Sequence, residues 1–262
     1  MARPIGIILY EGPSQLDGIT PIVVIANCLG KSANSKTGNM IQTHILLADV
    51  SPVEANRRAL DVAICGSCKL QGDAFVSDSG KGQRSGRLCY VRIEQAQTGI
   101  FKAYKRGSYA NYDSALHDKY LSGRGIRLGS YGDPAAAPIA IWQALKALAA
   151  YTTGYTHQWR DVSPDWSKLV MASADTAGDY SAAKLIGYRT FRVGLEGDAK
   201  VKGEVSCPAS AEAGRKLQCD TCQACSGVSG KHTSSVFIKA HGAASGTKVE
   251  QAYKQRLIAI AA

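Results

Sequence analysis

Apolar runs of strand length recur along the chain, separated by polar and glycine-rich stretches. They fall at residues 7–10, 21–28, 40–48, 88–93, 125–128, 153–159, 168–173, 188–193 and 235–241. Several are near-continuous in apolar or β-branched residues, the pattern of strands covered on both faces. Helical patterns sit between them. Asp133-Pro134 can open a helix, with Asp as N-cap and Pro in the first turn. The stretch that follows, AAAPIAIWQALKALAAY, is rich in helix formers, and Pro138 offers a second start one turn in. Asp175 can cap a shorter helix that ends at Gly187. In the C-terminal TKVEQAYKQRLIAIA, Val249, Ala252, Tyr253 and Leu257 share one face, which predicts a terminal helix. From residue 88 onward, strands and helices alternate with one direct strand-to-strand step. That order implies βα units and a parallel sheet. The clear helices are too few for an eight-fold barrel, so the expectation is an α/β protein with a partial or open barrel. Residues 70–87 and 195–234 read as irregular, and both are bounded by cysteines.

A length of 262 residues suits one large domain or two small ones, and 45% apolar with 20% charged residues is a globular mixture. No apolar run approaches the roughly 20 residues of a membrane-spanning helix. The start, MARPIGIILYEG, lacks a long apolar core and a small-residue cleavage site, so no signal peptide is read and a cytoplasmic protein is expected. Lys and Arg number 31 against 21 Asp and Glu, a net charge of +10. That balance favours polyanionic partners, nucleic acid first, over a basic protein with no such partner.

Eight cysteines in a cytoplasmic chain point away from disulfides. Their clustering points to metal. The strongest group is Cys207-x11-Cys219-x2-Cys222-x2-Cys225, in a Gly/Ser/Lys-rich stretch that cannot bury an apolar core of its own. Cys-x2-Cys spacing lets two sulfurs grip one metal or cluster corner. The run of three with a remote Cys207-Pro208 is similar to iron–sulfur ligation in bacterial ferredoxins, and zinc on four Cys is the rival. The second group is Cys65-x2-Cys68-x20-Cys89. Three thiolates suffice for a [4Fe–4S] cluster that leaves one iron open. Cys28, His44 or water is a candidate fourth ligand. Cys28 reads equally as a buried thiol within IVVIANCLG.

The order of pieces resembles a known group. Cys89-Tyr90-Val91 is like the CYA that closes the cluster loop in some phage-borne radical-S-adenosylmethionine-like proteins. Arg127-Leu128-Gly129-Ser130-Tyr131-Gly132-Asp133 resembles their R-x-x-x-x-GD strand end. Tyr155–Trp159, Met171–Asp175, Gly187–Val193, the Cys-rich group and a closing strand over 236–242 follow in the same order. The resemblance covers about residues 60–242. It implies a partial (β/α)6 barrel over 61–262, a packed N-terminal extension over 1–60 and a Cys-rich metal loop at 204–234. It also implies a [4Fe–4S] cluster on Cys65, Cys68 and Cys89, with S-adenosylmethionine as a candidate ligand. The last four Cys would hold an auxiliary cluster or zinc. The Cys-x2-Cys-x20-Cys spacing departs from the compact Cys-x3-Cys-x2-Cys loop of radical enzymes.

Further candidates sit at strand ends, where barrel-like folds carry their sites. Gly129, Ser130 and Gly132 allow close backbone approach of a cofactor. Asp133 reads as a binding or catalytic carboxylate or as a helix cap. His157 is a candidate acid–base group, and Ser173, Asp175 and His241 could line the same mouth. Between Glu54 and Arg127 there are 13 Lys/Arg against 7 Asp/Glu. Arg84, Arg87, Lys102, Lys105 and Arg106 interleave there with Tyr104, Tyr109, Tyr112 and Tyr120, a pattern that can track phosphates and stack bases. Asn34-Ser35-Lys36-Thr37-Gly38 looks like a phosphate-binding turn but lacks P-loop spacing, so nucleotide hydrolysis is not expected. Hydrolase and zinc-protease motifs are absent from the sequence.

Overall fold

The apolar runs pair into a ten-stranded, mostly parallel sheet in a mixed α/β protein. The computed structural model describes residues 3–30, 32, 34–195, 197–210, 213–214, 217–240 and 248–258. The strands are β1 (Gly6–Pro13), β2 (Pro21–Asn27), β3 (Ile41–Leu47), β4 (Asp73–Val76), β5 (Gly82–Ser85), β6 (Ala110–Asn111), β7 (Gly125–Tyr131), β8 (Tyr151–Thr156), β9 (Met171–Ala174), β10 (Thr190–Gly194), β11 (Glu204–Ser206) and β12 (Ser235–Lys239). The helices are α1 (Pro52–Arg57), α2 (Val62–Cys65), α3 (Thr98–Lys105), α4 (Ser114–Leu121), α5 (Ile139–Leu148), α6 (Ala177–Leu185), α7 (Cys219–Cys222) and α8 (Lys248–Ile258). Among the described residues no helix is long and apolar enough to cross a membrane.

The large sheet runs β11-β12-β10-β9-β8-β7-β3-β2-β1-β6. From β3 through β7, β8, β9 and β10 to β12, neighbours are parallel and lie in chain order. The segment 1–60 supplies β1, β2 and β3 to this same sheet, with β1–β2 and β2–β3 antiparallel. The near-continuous apolar strands are buried as their composition requires: β3 is buried along its whole length, and β2 from Ile22 to Ala26. Trp142 of α5 packs into the core and donates its indole N–H to Pro134 O at 2.8 Å.

Several local expectations change, each for a physical reason. Residues 88–93 are not a strand. The Leu88 and Cys89 amides both bond Leu70 O, and Arg87 takes the Cys89 and Val91 carbonyls, so those groups are not left for a sheet ladder. Asp133-Pro134 opens only the 3-10 turn Pro134–Ala136. Pro138 forces Ala137 into extended backbone (φ −120, ψ 157), and α5 begins after it. Thr176, not Asp175, caps α6, in a reciprocal pair with Asp179. Residues 70–87, expected to be irregular, contain the hairpin β4–β5, whose first strand is wholly exposed and so carries no apolar alternation. Glu204 and Arg192 form a bidentate ion pair at 2.8 and 2.7 Å, with side chains 0% and 4% exposed.

Two stability predictions follow from buried charge. Removing one member of the Arg192–Glu204 pair strands the other, so Glu204→Ala should cost about 3–5 kcal/mol in a urea titration. His44 is enclosed in β3, and burial lowers its pKa from 6.5 to about 4. The folded chain therefore binds fewer protons than the unfolded one between those values. Its neutral-state contribution is complete above about pH 6.5 and is lost as pH falls toward about 4. The stability difference between wild type and His44→Gln should accordingly shift by up to about 3 kcal/mol across that window.

Candidate metal centres and their cavity

Cys65 ends α2, in the connection that leaves the C-terminal end of β3. The Cys65-Gly66-Ser67-Cys68 turn is clamped by Gln158, which follows β8. Its amide donates to Cys65 O at 3.2 Å and its oxygen accepts from the Ser67 amide and hydroxyl at 3.3 and 3.1 Å. Gly66 sits at φ +52, and a Cβ there would lie 2.5 Å from the Gln158 side-chain amide, so another residue would be strained and would displace the clamp. Cys89 is distant in sequence yet returns to this turn. The β4–β5 hairpin pairs Asp73 with Ser85, and the Cys89 amide then bonds Leu70 O at 2.9 Å. Buried Arg84 anchors the hairpin to Asp61 at 2.7 Å. The 20-residue spacing is thus a closed excursion, and Cys68 and Cys89 pack on the same apolar cluster with Leu70 and Leu88.

The first trio is electrostatically loaded. Burial pushes the Cys65 thiol well above its ordinary value, and the charges of Asp61, Cys68, Cys89 and Asp133 push it further. Cys89 is raised by burial and by Cys68, with Arg87 opposing. Burial disfavours a charged His157, but Cys68 and Asp175 outweigh it and raise its pKa well above 6.5. His157 Nε2 lies 3.6 Å from Asp175 Oδ1, beyond hydrogen-bond reach, and Asp175 accepts from Tyr253 of α8 at 2.7 Å. The Tyr131 hydroxyl is buried without a partner and feels the Cys65 charge. Two partnerless polar atoms beside the raised Cys65 and Cys89 thiols suit a group that takes several sulfur ligands. Among the described residues, however, no three Cys, His, Asp or Glu side chains are drawn to coordination geometry.

The last four cysteines also converge, all lining one cavity of about 610 Å³. Cys207 is tied to β12 through its amide to Phe237 O (2.7 Å), Cys219 to the 34–38 turn through Lys36 O (2.9 Å), and Cys225 O to the Gly154 amide of β8 (3.0 Å). The Asn34–Gly38 turn that resembled a phosphate cradle is an Asx turn. Asn34 Oδ1 accepts the Lys36 and Thr37 amides, and the turn docks the quartet. Arg189 holds the Cys222–Cys225 segment by donating to the Ala224, Ser226 and Ser234 carbonyls at 2.8, 2.8 and 2.6 Å. Burial raises Cys207 and Cys219, and lifts Cys225 to about 12. Cys28 is apart from the trio: it follows Asn27, which pairs with Gln42 near the start of β3, the opposite end of that strand from Cys65, and it lines the cavity of the last four cysteines. His44 lies within β3 and lines the cavity.

The strand-end residues have mixed placements. Asp133 accepts from the Ala135 amide (3.0 Å), the His157 amide (2.7 Å) and the Gln158 side chain (3.3 Å), so it joins the ends of β7 and β8. Gly129 (φ +68) and Gly132 (φ +78) make the turn where a Cβ would strike Pro134 and Ile45. Ser130 bonds Gln42 and lines the cavity, while Ser173 O accepts from Trp159. His241 lies outside the described residues. The basic–aromatic stretch is largely engaged: Arg84 is in its buried ion pair, Arg87 holds carbonyls, Tyr104 bonds Glu11, Tyr112 bonds Asp118, and Tyr109 is buried. Sequence reasoning missed Gln158, Arg189 and Arg127. Buried arginines inside apolar strands were the available sign. Comparison of the chain with known protein families, curated proteins and solved structures returns no match.

Arg189 makes a separable prediction. Arg189→Met should destabilise the metal-stripped protein by about 2–4 kcal/mol through lost charged hydrogen bonds. Maleimide labelling of Cys222 and Cys225 should rise, while Cys65 and Cys89 stay slow, as read by peptide mass mapping.

Proposed function

We propose that the chain is an iron–sulfur protein of radical-S-adenosylmethionine-like design, on a partial, open (β/α)6-type barrel, with its cluster held by Cys65, Cys68 and Cys89. The observation that carries this is that Cys65 and Cys68 follow the C-terminal end of β3, the first of seven mutually parallel strands, where βα folds place their chemistry, and that Cys89 returns to their turn. The barrel rests on a second observation. In a flat sheet β3 and β12 would stand roughly 24 Å apart, at about 4.8 Å per strand. Gln42 and His44 of β3 and Ile238 of β12 nevertheless line one cavity of about 610 Å³, which supports a curled sheet.

A cluster on three thiolates leaves one iron open to S-adenosylmethionine or substrate. The protein's own contribution is positional. Gln158 and the β4–β5 hairpin hold the sulfurs, Arg87 orients the Cys89 segment, and Asp133 fixes the backbone of His157 beside Cys68. The quartet supplies a second centre, an auxiliary cluster or zinc. A net charge of +10 supports a polyanionic substrate such as nucleic acid.

Protein purified without oxygen should be brown and contain about four iron and four sulfide per cluster. Reduction should give an electron paramagnetic resonance signal that S-adenosylmethionine perturbs and that Cys65→Ser and Cys89→Ser abolish. Colourless protein with stoichiometric zinc and no iron would overturn the proposal. That outcome belongs to the second reading, a zinc-stabilised nucleic-acid-binding protein, which the basic charge favours. It predicts DNA or RNA affinity that falls steeply with salt.

A further inference from the structure

The cavity shared by the strands has a polar anchor that no cysteine chemistry uses. Alternate residues of five parallel strands line it: Gln42 and His44, Arg127, Thr153 and Tyr155, Phe191 and Val193, and Ile238. Most of the wall is apolar, and Leu70, Leu88 and Val91 line it together with the Cys207–Cys225 group. Arg127 is only 7% exposed, and among the described residues it makes no ion pair with a carboxylate. Its side-chain contacts are the Tyr90 hydroxyl at 3.0 Å and Tyr155, through a hydrogen bond and a ring centroid at 5.1 Å. A guanidinium has five donors, and phenols cannot neutralise it. Two further groups in the same wall are buried with no partner: Thr153 Oγ1, on a residue 1% exposed, and His44 Nδ1, on a residue 4% exposed. Buried hydroxyls and imidazoles are seldom left unsatisfied, and here both line one space.

We infer that this cavity binds a small organic oxyanion, with its carboxylate or phosphate on Arg127, its carbon body on the apolar wall and a polar group at Thr153 and His44. A volume of about 610 Å³ lies within the range of ordinary small-molecule sites, about 300–1,000 Å³. The planar guanidinium fork matches either oxyanion in a bidentate way. The inference does not depend on which metal the cysteines hold. The competing role for Arg127 is counter-ion to the quartet, since Cys219 lies within its electrostatic reach.

Calorimetric titration of the full-length, metal-loaded protein separates these roles. The probes are adenosine 5′-monophosphate against adenosine, and N-acetylphenylalanine against its amide. One anionic probe should bind at least about tenfold more tightly than its neutral counterpart, and which of the two does so identifies phosphate or carboxylate. Arg127→Gln should weaken that probe at least about tenfold and erase the preference for the anion. Thr153→Val is isosteric and removes a hydroxyl that bonds nothing in the fold, so it should leave folding intact and weaken the probe several-fold. If Arg127→Gln does not fold, the anion preference together with Thr153→Val decides. Equal affinity for anionic and neutral probes, or no binding by either pair, overturns the inference. So does an Arg127→Gln protein that loses metal from the quartet while holding the probe within about twofold of wild type. Iron content, read separately by absorbance, reports on the cluster proposal without bearing on this one.

Discussion

Thiols gathered inside a protein resist ionisation twice over, because burial disfavours each thiolate and each charge disfavours the next. Both cysteine groups carry this burden, with Cys65, Cys89, Cys207, Cys219 and Cys225 all raised. Much of the surrounding architecture answers that problem with positive charge and fixed dipoles. Arg87 faces Cys89, Lys36 faces Cys219, and Arg189 faces Cys225. A chain with no use for ionised sulfur would gain more by packing apolar side chains at these positions. The placement of Arg87, Lys36 and Arg189 against sulfur is therefore the strongest physical argument that the thiolate form matters.

The basic excess acquires a different meaning in this light. Read along the chain, Arg84, Arg87 and their tyrosine neighbours look like a surface for phosphates. In the fold, Arg84 closes a buried ion pair with Asp61, Arg87 holds two carbonyls and Tyr109 is interior. A share of the positive charge is thus structural and internal. Net charge alone could not distinguish the two uses, because an arginine that holds a cysteine loop and one that waits for a phosphate are identical in composition.

The central strands were legible because burial on both faces leaves near-continuous apolar runs, as in the antiparallel β2 and the parallel-paired β3 and β7. The terminal helix and the stop at Gly187 were legible from periodicity and from glycine's tolerance of positive φ. The β4–β5 hairpin was not, since exposed short strands show no apolar alternation. Residues 88–93 misled because their apolar side chains serve a local cluster while their backbone bonds a turn and a guanidinium. At the candidate site, the cysteines declared themselves by spacing, but Gln158, Arg127 and Arg189 did not. Their roles depend on what faces them across strands, and that is set by sheet order rather than by neighbours in sequence.

That hairpin also reframes the unusual spacing of the trio. A compact cluster loop keeps its three sulfurs close by brevity, and an insertion of 20 residues would separate them through chain entropy alone. Here the insertion is folded back on itself: Asp73 pairs with Ser85, Arg84 is locked to Asp61, and Arg256 of α8 reaches Asp73 at 2.6 Å and Gly86 O at 2.9 Å. The chain leaves after Gln71 and re-enters at Leu88 beside the same Leu70 carbonyl. The contacts that fold the excursion offset the entropy of ordering it, so the distance between Cys68 and Cys89 in sequence says little about their distance in space. A spacing rule drawn from short loops tests only for short loops. The physical requirement is that the chain bring the third cysteine back to the first two, and a clamped hairpin returns the Cys89 backbone to the Leu70 carbonyl just after Cys68.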